Sequence, residues 1–190
     1  VKGTAVYTAA FTPSTTPLTA ITNTKLLLSM TGKSSPNNNG SIGDQSILNN
    51  VITTVGTPPY AGLSPYSNTY PGSINFTSAN SQYLSAPTVA GFSYGTGDFT
   101  MECWVNFKTV GVTQYIIDQR NSGTANAIIP TIYLDGTTNT IRYYVSGADR
   151  ITGATARTTN TWYHIAVARS GSSTKLFVNG TQDGSTYSDT

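Results

Sequence analysis

The chain has 190 residues, and only 9% of them are charged, against about 25% in a typical globular protein. Its net charge of +2 is not gathered into a cluster of Lys and Arg, which excludes the electrostatic footprint of a nucleic-acid-binding protein. No run of apolar residues approaches the roughly 20 that a membrane-spanning helix needs. Cys103 is the single cysteine, so no disulfide can form within the chain. These features indicate one domain plus a connecting segment, with no nucleic-acid partner and no membrane insertion.

Residues 1–23 are predicted to form an extended connector. Pro13 and Pro17 stand among Thr and Ser, a composition that disfavours helix and suits extended backbone. The first strong core signal follows at residues 25–30, KLLLSM, which is short enough for a β-strand. We therefore place the domain at residues 24–190.

The regular strand pattern begins at residue 73 and is clearest at residues 98–107. Every second residue there is apolar, which places one set of side chains on a single strand face: Phe99, Met101, Cys103, Val105 and Phe107. Further strands are predicted at residues 114–119, 130–134, 140–145, 162–169 and 174–178. Asp-Gly, Ser-Gly and Asn-Gly pairs separate several of them as turn signals. Many short strands at this spacing predict an all-β sandwich, in which Trp162 and the apolar face of residues 98–107 are buried.

Four segments carry a family resemblance: GSINF (72–76), QYLSAP (82–87), GTGDFTMECWV (95–105) and TWYHIAVARSGSSTKLFVNG (161–180). Over residues 25–190 the chain resembles the laminin G-like domains of the concanavalin A-like lectin/glucanase superfamily. The resemblance implies an antiparallel jelly-roll β-sandwich, in which the last of these segments folds as a hairpin. Because members of the family continue with two or three closing strands, it also implies that this domain lacks its last strands.

The connector adds a narrower resemblance. Residues 1–28 resemble the segment that precedes such domains in structural proteins of marine bacteriophages. This implies a non-catalytic virion surface or appendage module, of the tail-fibre or decoration type, located on a virion or otherwise outside the cell. Its expected partners are a glycan or host-cell surface, and either copies of itself or other virion proteins. Two alternatives stay open, a carbohydrate-binding module of a secreted bacterial protein and a glycoside hydrolase.

Four residues are predicted to bind glycan: Glu102, Trp104, Tyr143 and Tyr144. Glu102 and Trp104 alternate onto the strand face opposite the apolar one, where a ring can stack on a sugar beside a carboxylate that accepts hydroxyl protons. The two tyrosines, near a strand end, offer rigid contact area with a polar tip. The alternative is structural, with Trp104 beneath a loop, Glu102 capping a backbone group and the tyrosines covering the rim of the sandwich.

No catalytic residue is predicted. Glycosidases use two carboxylates about 5–9.5 Å apart. The residues two positions from Glu102 are Thr100 and Trp104, and Asp98 lies some ~13 Å away by strand rise. His164 is the only imidazole and lies mid-strand. Because non-enzymes of the resembled family show the same W-Y-H pattern, we expect His164 to be structural.

Calcium is the one cofactor that the resemblance leaves open. Related domains often hold Ca²⁺ through Asp, Asn and loop carbonyls, consistent with the oxygen ligands that this ion prefers. The candidate ligands are four aspartates: Asp44, Asp118, Asp135 and Asp183. No D-x-D-x-D cluster brings them together in sequence, and Asp135 and Asp183 each precede a glycine, which also suits a simple turn.

Overall fold

The computed structural model describes residues 1–29, 42–66, 72–87, 90–120 and 130–189. These residues contain antiparallel β-strands and two short 3₁₀ turns, Ser78–Asn80 and Ala90–Phe92, but no α-helix. The predicted all-β class is therefore confirmed. Within the same ranges, no helix has the length and apolar character needed to cross a membrane.

Two compact units divide the chain. The first contains Val1–Lys2 and Ser14–Phe92, and the second contains Gly3–Pro13 and Ser93–Thr190. The second unit therefore takes up part of the predicted connector. The predicted domain boundary after residue 23 stays a prediction.

The first unit is built from short two-stranded pairs. Its strands are β1 Leu28–Ser29, β2 Gly43–Asp44, β3 Thr53–Val55, β4 Tyr60–Ala61, β5 Ser73–Ile74 and β6 Tyr83–Ser85. β1 pairs with β2, β3 with β6 and β4 with β5, all antiparallel. The predicted strand at residues 25–30 corresponds to β1, although Met30 lies outside the described residues.

The second unit is a sandwich of two sheets. Its strands are β7 Phe99–Asn106, β8 Gln114–Asp118, β9 Thr131–Leu134, β10 Ile141–Val145, β11 Ala148–Thr152, β12 Trp162–Ser170, β13 Ser173–Val178, β14 Thr181–Gln182 and β15 Tyr187–Ser188. One sheet has the order β14-β13-β12-β7, with β15 also pairing β13, and the other has the order β11-β10-β9-β8. The predicted hairpin is β12–β13, in register from Ile165 opposite Val178 to Ser170 opposite Ser173.

The core lies between the two sheets. The predicted alternation along β7 holds, since Phe99, Met101 and Phe107 are buried and Cys103 and Val105 pack against them. The opposite sheet and the neighbouring strands complete this cluster with Ile132, Leu134, Ile141, Tyr143, Val145, Ile151, Tyr163, Ile165, Val167, Leu176 and Val178. Full burial of each large apolar side chain contributes about 1.5–3 kcal/mol, so this cluster dominates the stability of the sandwich.

The expectation that Trp162 is buried is wrong. Trp162 is partly exposed at the first position of β12, opposite Asn106 of β7. It shares strand parity with His164 and Ala166, which point away from the core, whereas Tyr163 and Ile165 point into it. A tryptophan on the outer face at a strand end cannot be fully covered by the opposite sheet.

Candidate functional site

The outer face of the five-stranded sheet is covered by residues 3–13 of the same chain. We call it the covered face, and it consists of Thr100, Glu102, Trp104, His164, Ala166, Ala168 and Phe177. Backbone hydrogen bonds hold the segment at both ends, because Gly3 N donates to Asp98 O at 2.6 Å and Phe11 N donates to Gly180 O at 2.9 Å. Between these ends, Val6 N donates to the hydroxyl of Thr100 at 2.8 Å.

Aromatic rings fill the space between this segment and the sheet. The rings of Tyr7 and Phe11 stack with centroids 3.6 Å apart and an interplanar angle of 8°. Phe11 also meets Phe177 and His164 edge-on, at 5.5 and 5.7 Å. Phe177 is completely buried beneath this layer. The segment therefore encloses an apolar cluster of its own, on the side of the sheet opposite the main core.

Glu102 is hydrogen-bonded entirely from within the chain. Its Oε2 accepts a hydrogen bond from the Tyr7 hydroxyl at 2.7 Å and lies 3.0 Å from Nε2 of His164. The Glu102 side chain is 14% exposed and that of His164 3% exposed. Trp104 packs edge-on against His164, with ring centroids 5.2 Å apart, so two predicted glycan contacts are occupied by the chain's own side chains.

The outer face of the four-stranded sheet has a different character, and we call it the open face. Strand register sets its residues in two rows. The first row is Tyr115, Tyr133, Arg142 and Thr152, and the second is Asp118, Thr131, Tyr144 and Asp149. Arg120, just after β8, reaches back over both rows. Aromatic, cationic and anionic side chains thus lie beside one another on one surface.

Arg120 ties the two rows of the open face together. It donates to both carboxylate oxygens of Asp118, at 2.9 and 2.8 Å. Its guanidinium also lies 4.9 Å from the ring centroid of Tyr115 and 5.7 Å from that of Tyr144. Tyr115 is nevertheless 57% exposed, because the guanidinium stands against only part of its ring. The arrangement fixes the rings without burying them.

Tyr133, Arg142 and Asp149 form the second linked group of the open face. The Tyr133 hydroxyl donates to Asp149 at 2.8 Å, and Arg142 Nη1 lies 3.5 Å from the same carboxylate. Tyr133 also stands 5.7 Å from Tyr115, ring to ring. Burial, and next the hydrogen bond to Asp149, raise the pKa of Tyr133, so its hydroxyl stays protonated and acts as a donor. Conversely, the hydrogen bond from Arg120 is the main cause that lowers the pKa of Asp118, which stays ionised.

The structure separates the four predicted glycan contacts. Glu102 and Trp104 lie on the covered face. Tyr144 lies on the open face, while the adjacent Tyr143 points into the core and is 1% exposed. Alternation along a strand requires this outcome, because neighbouring residues of β10 point to opposite sides of the sheet.

The four aspartates considered for calcium lie in separate hydrogen-bond networks. Asp44 is buried and accepts from the backbone N–H groups of Leu27, Ser46 and Asn50 at 2.8–2.9 Å. Burial by itself would raise the pKa of Asp44, but these donors outweigh it and hold that pKa below its usual value. Carboxylates that point at N–H donors have few lone pairs left for a cation.

The other three aspartates are engaged in the same way. Asp183 is buried and pairs with Arg157 at 3.0 Å, Asp135 accepts from Thr138 N at 2.8 Å, and Asp118 holds Arg120. Across the described ranges, no group of three or more His, Cys, Asp or Glu side chains could hold a metal ion. Carboxylates that are each engaged in a separate network of donors do not fit a shared Ca²⁺ site.

Sequence reasoning missed most of the open face. Tyr115, Tyr133, Arg142 and Asp149 come from four different strands, and Arg120 comes from a loop. The available signal was strand parity, which sets Arg142 and Tyr144 on one side of β10 and Tyr133 on the outer side of β9. Which of these residues become neighbours depends on the register between strands, and the alternation of apolar and polar residues in the sequence does not give that register.

Comparison with known proteins gave one match. Residues 78–190, more than half of the chain, match a family model described as the concanavalin A-like lectin/glucanases superfamily. The match spans the whole of the strand region β7–β15, and so includes the outer faces of both sheets. Searches of curated proteins and of solved structures found no match.

Proposed function

The chain belongs to the concanavalin A-like lectin/glucanases superfamily, and from this membership we propose that it binds carbohydrate through the open face, without cleaving it. The observation that carries the proposal is Tyr115, an aromatic ring that is 57% exposed and held beside Arg120. An aromatic ring offers a flat apolar surface to the C–H face of a sugar, at a low cost in side-chain entropy.

Polar groups around this ring would orient a bound sugar by hydrogen bonds to its hydroxyl groups. Asp118, Arg120, Arg142 and Asp149 offer acceptors and donors in positions already fixed by their mutual hydrogen bonds. Two arginines and two aspartates leave the group close to neutral, which favours neutral sugars over strongly charged ones. Preorganised side chains lose little further freedom on binding, so more of the contact energy is retained as affinity.

The absence of hydrolysis is part of the proposal. On the covered face, the residues around Glu102 on β7 and β12 are Thr100, Trp104, His164 and Ala166, none of them a second carboxylate. On the open face, Asp135 and Asp149 lie 3.6 and 3.5 Å from the same Arg142 guanidinium, which stands between them where a catalytic water would have to enter. Asp118 and Asp149 lie on β8 and β11, the two edge strands of the sheet. Three strand spacings separate them by about 14 Å, well beyond the roughly 5–9.5 Å that glycosidases use.

A glycan array, followed by calorimetric titration of the best ligand, tests the binding proposal. We expect Tyr115→Ala to weaken affinity about tenfold or more, as the loss of a central aromatic contact does. Tyr83→Ala is the matched control, because Tyr83 is a 53% exposed tyrosine in the first unit. Equal affinity of Tyr115→Ala and wild type would disprove the assignment. Repeating the array with EDTA tests the calcium prediction.

Hydrolysis has a separate test. We expect no release of reducing ends from β-glucans or galactans, because Glu102 has no second carboxylate beside it on the sheet. Release that Glu102→Gln abolishes would refute this part of the proposal and leave the binding part standing.

The setting of this activity is a further part of the proposal. We propose display on a virion or another extracellular surface, in a homo-oligomer or with other structural proteins, supported by the resemblance of residues 1–28. Immunogold electron microscopy of purified particles would detect the protein on the virion surface, and sedimentation would give its oligomeric state. Particles free of label would favour the alternative of a carbohydrate-binding module in a secreted bacterial protein.

A further inference from the structure

A small pocket lies where the N-terminal segment meets the edge of the covered face. It has a volume of about 220 Å³ and is lined by Tyr7, Thr8, Ala168, Ser170, Ser173 and Lys175. Its floor follows from the register of the β12–β13 hairpin, in which Ala168 stands opposite Lys175 and Ser170 opposite Ser173. All four point outward, because Arg169 and Thr174 between them are buried on the other side.

The pocket holds a cation without a counter-ion. Lys175 Nζ donates to the backbone oxygen of Thr8 at 2.8 Å, which uses one of the three N–H bonds of an ammonium group. Among the described residues no carboxylate forms an ion pair with Lys175. The amine is therefore held in place and has two N–H bonds left for a ligand.

Three side-chain hydroxyl groups line the same pocket as this amine. Within the described part of the chain, the side chains of Thr8, Ser170 and Ser173 have no hydrogen-bond partner, so their donors and acceptors are available. Ala168 gives a small apolar floor, and Asp98 Oδ1 accepts from Gly171 N at 2.8 Å, which fixes the turn that carries both serines. Hydroxyls, a small apolar floor and one cation match the chemistry of a sugar ring with an anionic substituent.

We propose that this pocket binds one residue of an acidic saccharide, with Lys175 pairing its carboxylate or sulfate. The volume is below the roughly 300–1,000 Å³ of pockets for drug-sized ligands, which suits a single ring. The site is composite, because the segment supplies Tyr7 and Thr8 and the sheet supplies the remaining groups. It is separate from the open face, since it lies on the other sheet, and it does not depend on carbohydrate binding there.

The test compares three probes by calorimetric titration: an oligogalacturonate, a sulfated galactose oligomer, and the neutral galactose oligomer. We expect at least one acidic probe to bind, with affinity that falls as ionic strength rises, and the neutral oligomer to bind at least tenfold more weakly at this site. Lys175→Gln should weaken acidic binding tenfold or more. Lys108→Gln is the matched control, because Lys108 contacts Asn160 and does not line the pocket.

Two further variants separate this proposal from the one for the open face. Ser170→Phe should block the pocket without disturbing the core, because Ser170 is exposed at the end of β12. Tyr115→Ala should leave acidic binding unchanged. The proposal is overturned if neither acidic probe binds, or if the pocket binds the neutral oligomer equally well. It is also overturned if Lys175→Gln changes the affinity for the acidic probes less than twofold. Loss of acidic binding in Tyr115→Ala would place that ligand on the open face instead.

Discussion

The aromatic residues of the two outer faces differ in how much of their surface is exposed to solvent. On the covered face, the rings of Tyr7, Phe11 and Phe177 pack on one another, and Phe177 has no exposed surface. On the open face, Tyr115 keeps more than half of its surface in solvent and is held by a cation. Rings buried against one another stabilise a fold, whereas a ring fixed in solvent is available to a ligand. Aromatic residues are therefore part of the packed interior of the covered face, whereas on the open face they are the basis of the binding that we propose.

The largest expected difference between the faces concerns stability. Phe177→Ala should lower the free energy of unfolding by about 3–5 kcal/mol, because it opens a cavity beneath Phe11. Tyr115→Ala should change it by no more than about 0.5 kcal/mol, as is usual at exposed positions. Urea unfolding of both variants measures this contrast. Similar losses for the two would show that the open face is also part of the folded core.

A glycine pair tests how closely the N-terminal segment is fitted to the sheet. Gly180 and Gly171 both have left-handed backbone, with φ of 79° and 59°. A Cβ at position 180 would overlap the carbonyl oxygen of Phe11, whereas one at position 171 would meet open space. Alanine adds about 1–2 kcal/mol of backbone strain at either position, but only Gly180→Ala should also displace the segment. We expect rapid proteolytic cleavage within residues 3–13 in Gly180→Ala and not in Gly171→Ala, and equal cleavage rates would contradict the observed docking.

Tyr7→Phe tests the polar contact beneath the segment. It keeps the stacked ring and removes one hydrogen bond to the Glu102 carboxylate. Hydrogen bonds to charged groups contribute about 1.5–3 kcal/mol when well shielded. Because this bond is partly buried, we expect a loss at the lower end of that range, about 1.5 kcal/mol, with the segment still docked. Thermal unfolding measures the loss, and Tyr83→Phe, at a 53% exposed tyrosine in the first unit, is a control for the substitution itself. A loss of the size expected for Phe177→Ala would mean that the hydroxyl, and not the rings, holds the segment.

The sequence predicts the sandwich better than it predicts either face. The alternation from Phe99 to Phe107 predicts β7, because its signal lies within the strand itself. The glycine turns at positions 171 and 180 likewise predict the ends of β13 and so the β12–β13 hairpin. The contact between Tyr7 and Glu102 joins residues 95 positions apart and has no periodicity that could reveal it. Alternation predicts that Glu102 and Trp104 lie outside the core, but it does not reveal that Tyr7 of the N-terminal segment binds Glu102. For Tyr143 and Tyr144, alternation alone would have assigned one to the core.

The smallest expected effect concerns the rigidity of the open face. The hydrogen bond from Arg120 lowers the pKa of Asp118, so the ionised carboxylate favours the folded state. That contribution is fully present above the ordinary aspartate pKa of about 3.9 and is lost as the pH falls through the lower folded value. Arg120→Gln should raise the pKa of Asp118 towards its ordinary value, which carboxyl-detected NMR titration measures directly. The stability change near neutral pH should be below about 1 kcal/mol, because exposed ion pairs contribute little.

Arg120→Gln also removes the cation that stands against Tyr115 and Tyr144. If the open face binds sugar with preorganised rings, the variant should lose affinity out of proportion to its small loss of stability, because freed rings must be ordered again on binding. Lys108→Gln, which removes a cation that donates a hydrogen bond to Asn160, controls for net charge. A shifted Asp118 pKa with unchanged glycan affinity would show that the guanidinium orders the carboxylate but not the recognition surface. If Arg120→Gln weakens binding while the folded state keeps its stability, recognition and folding are separable on this sheet. Phe177→Ala cannot show this on the other sheet, because it lowers the stability of the fold.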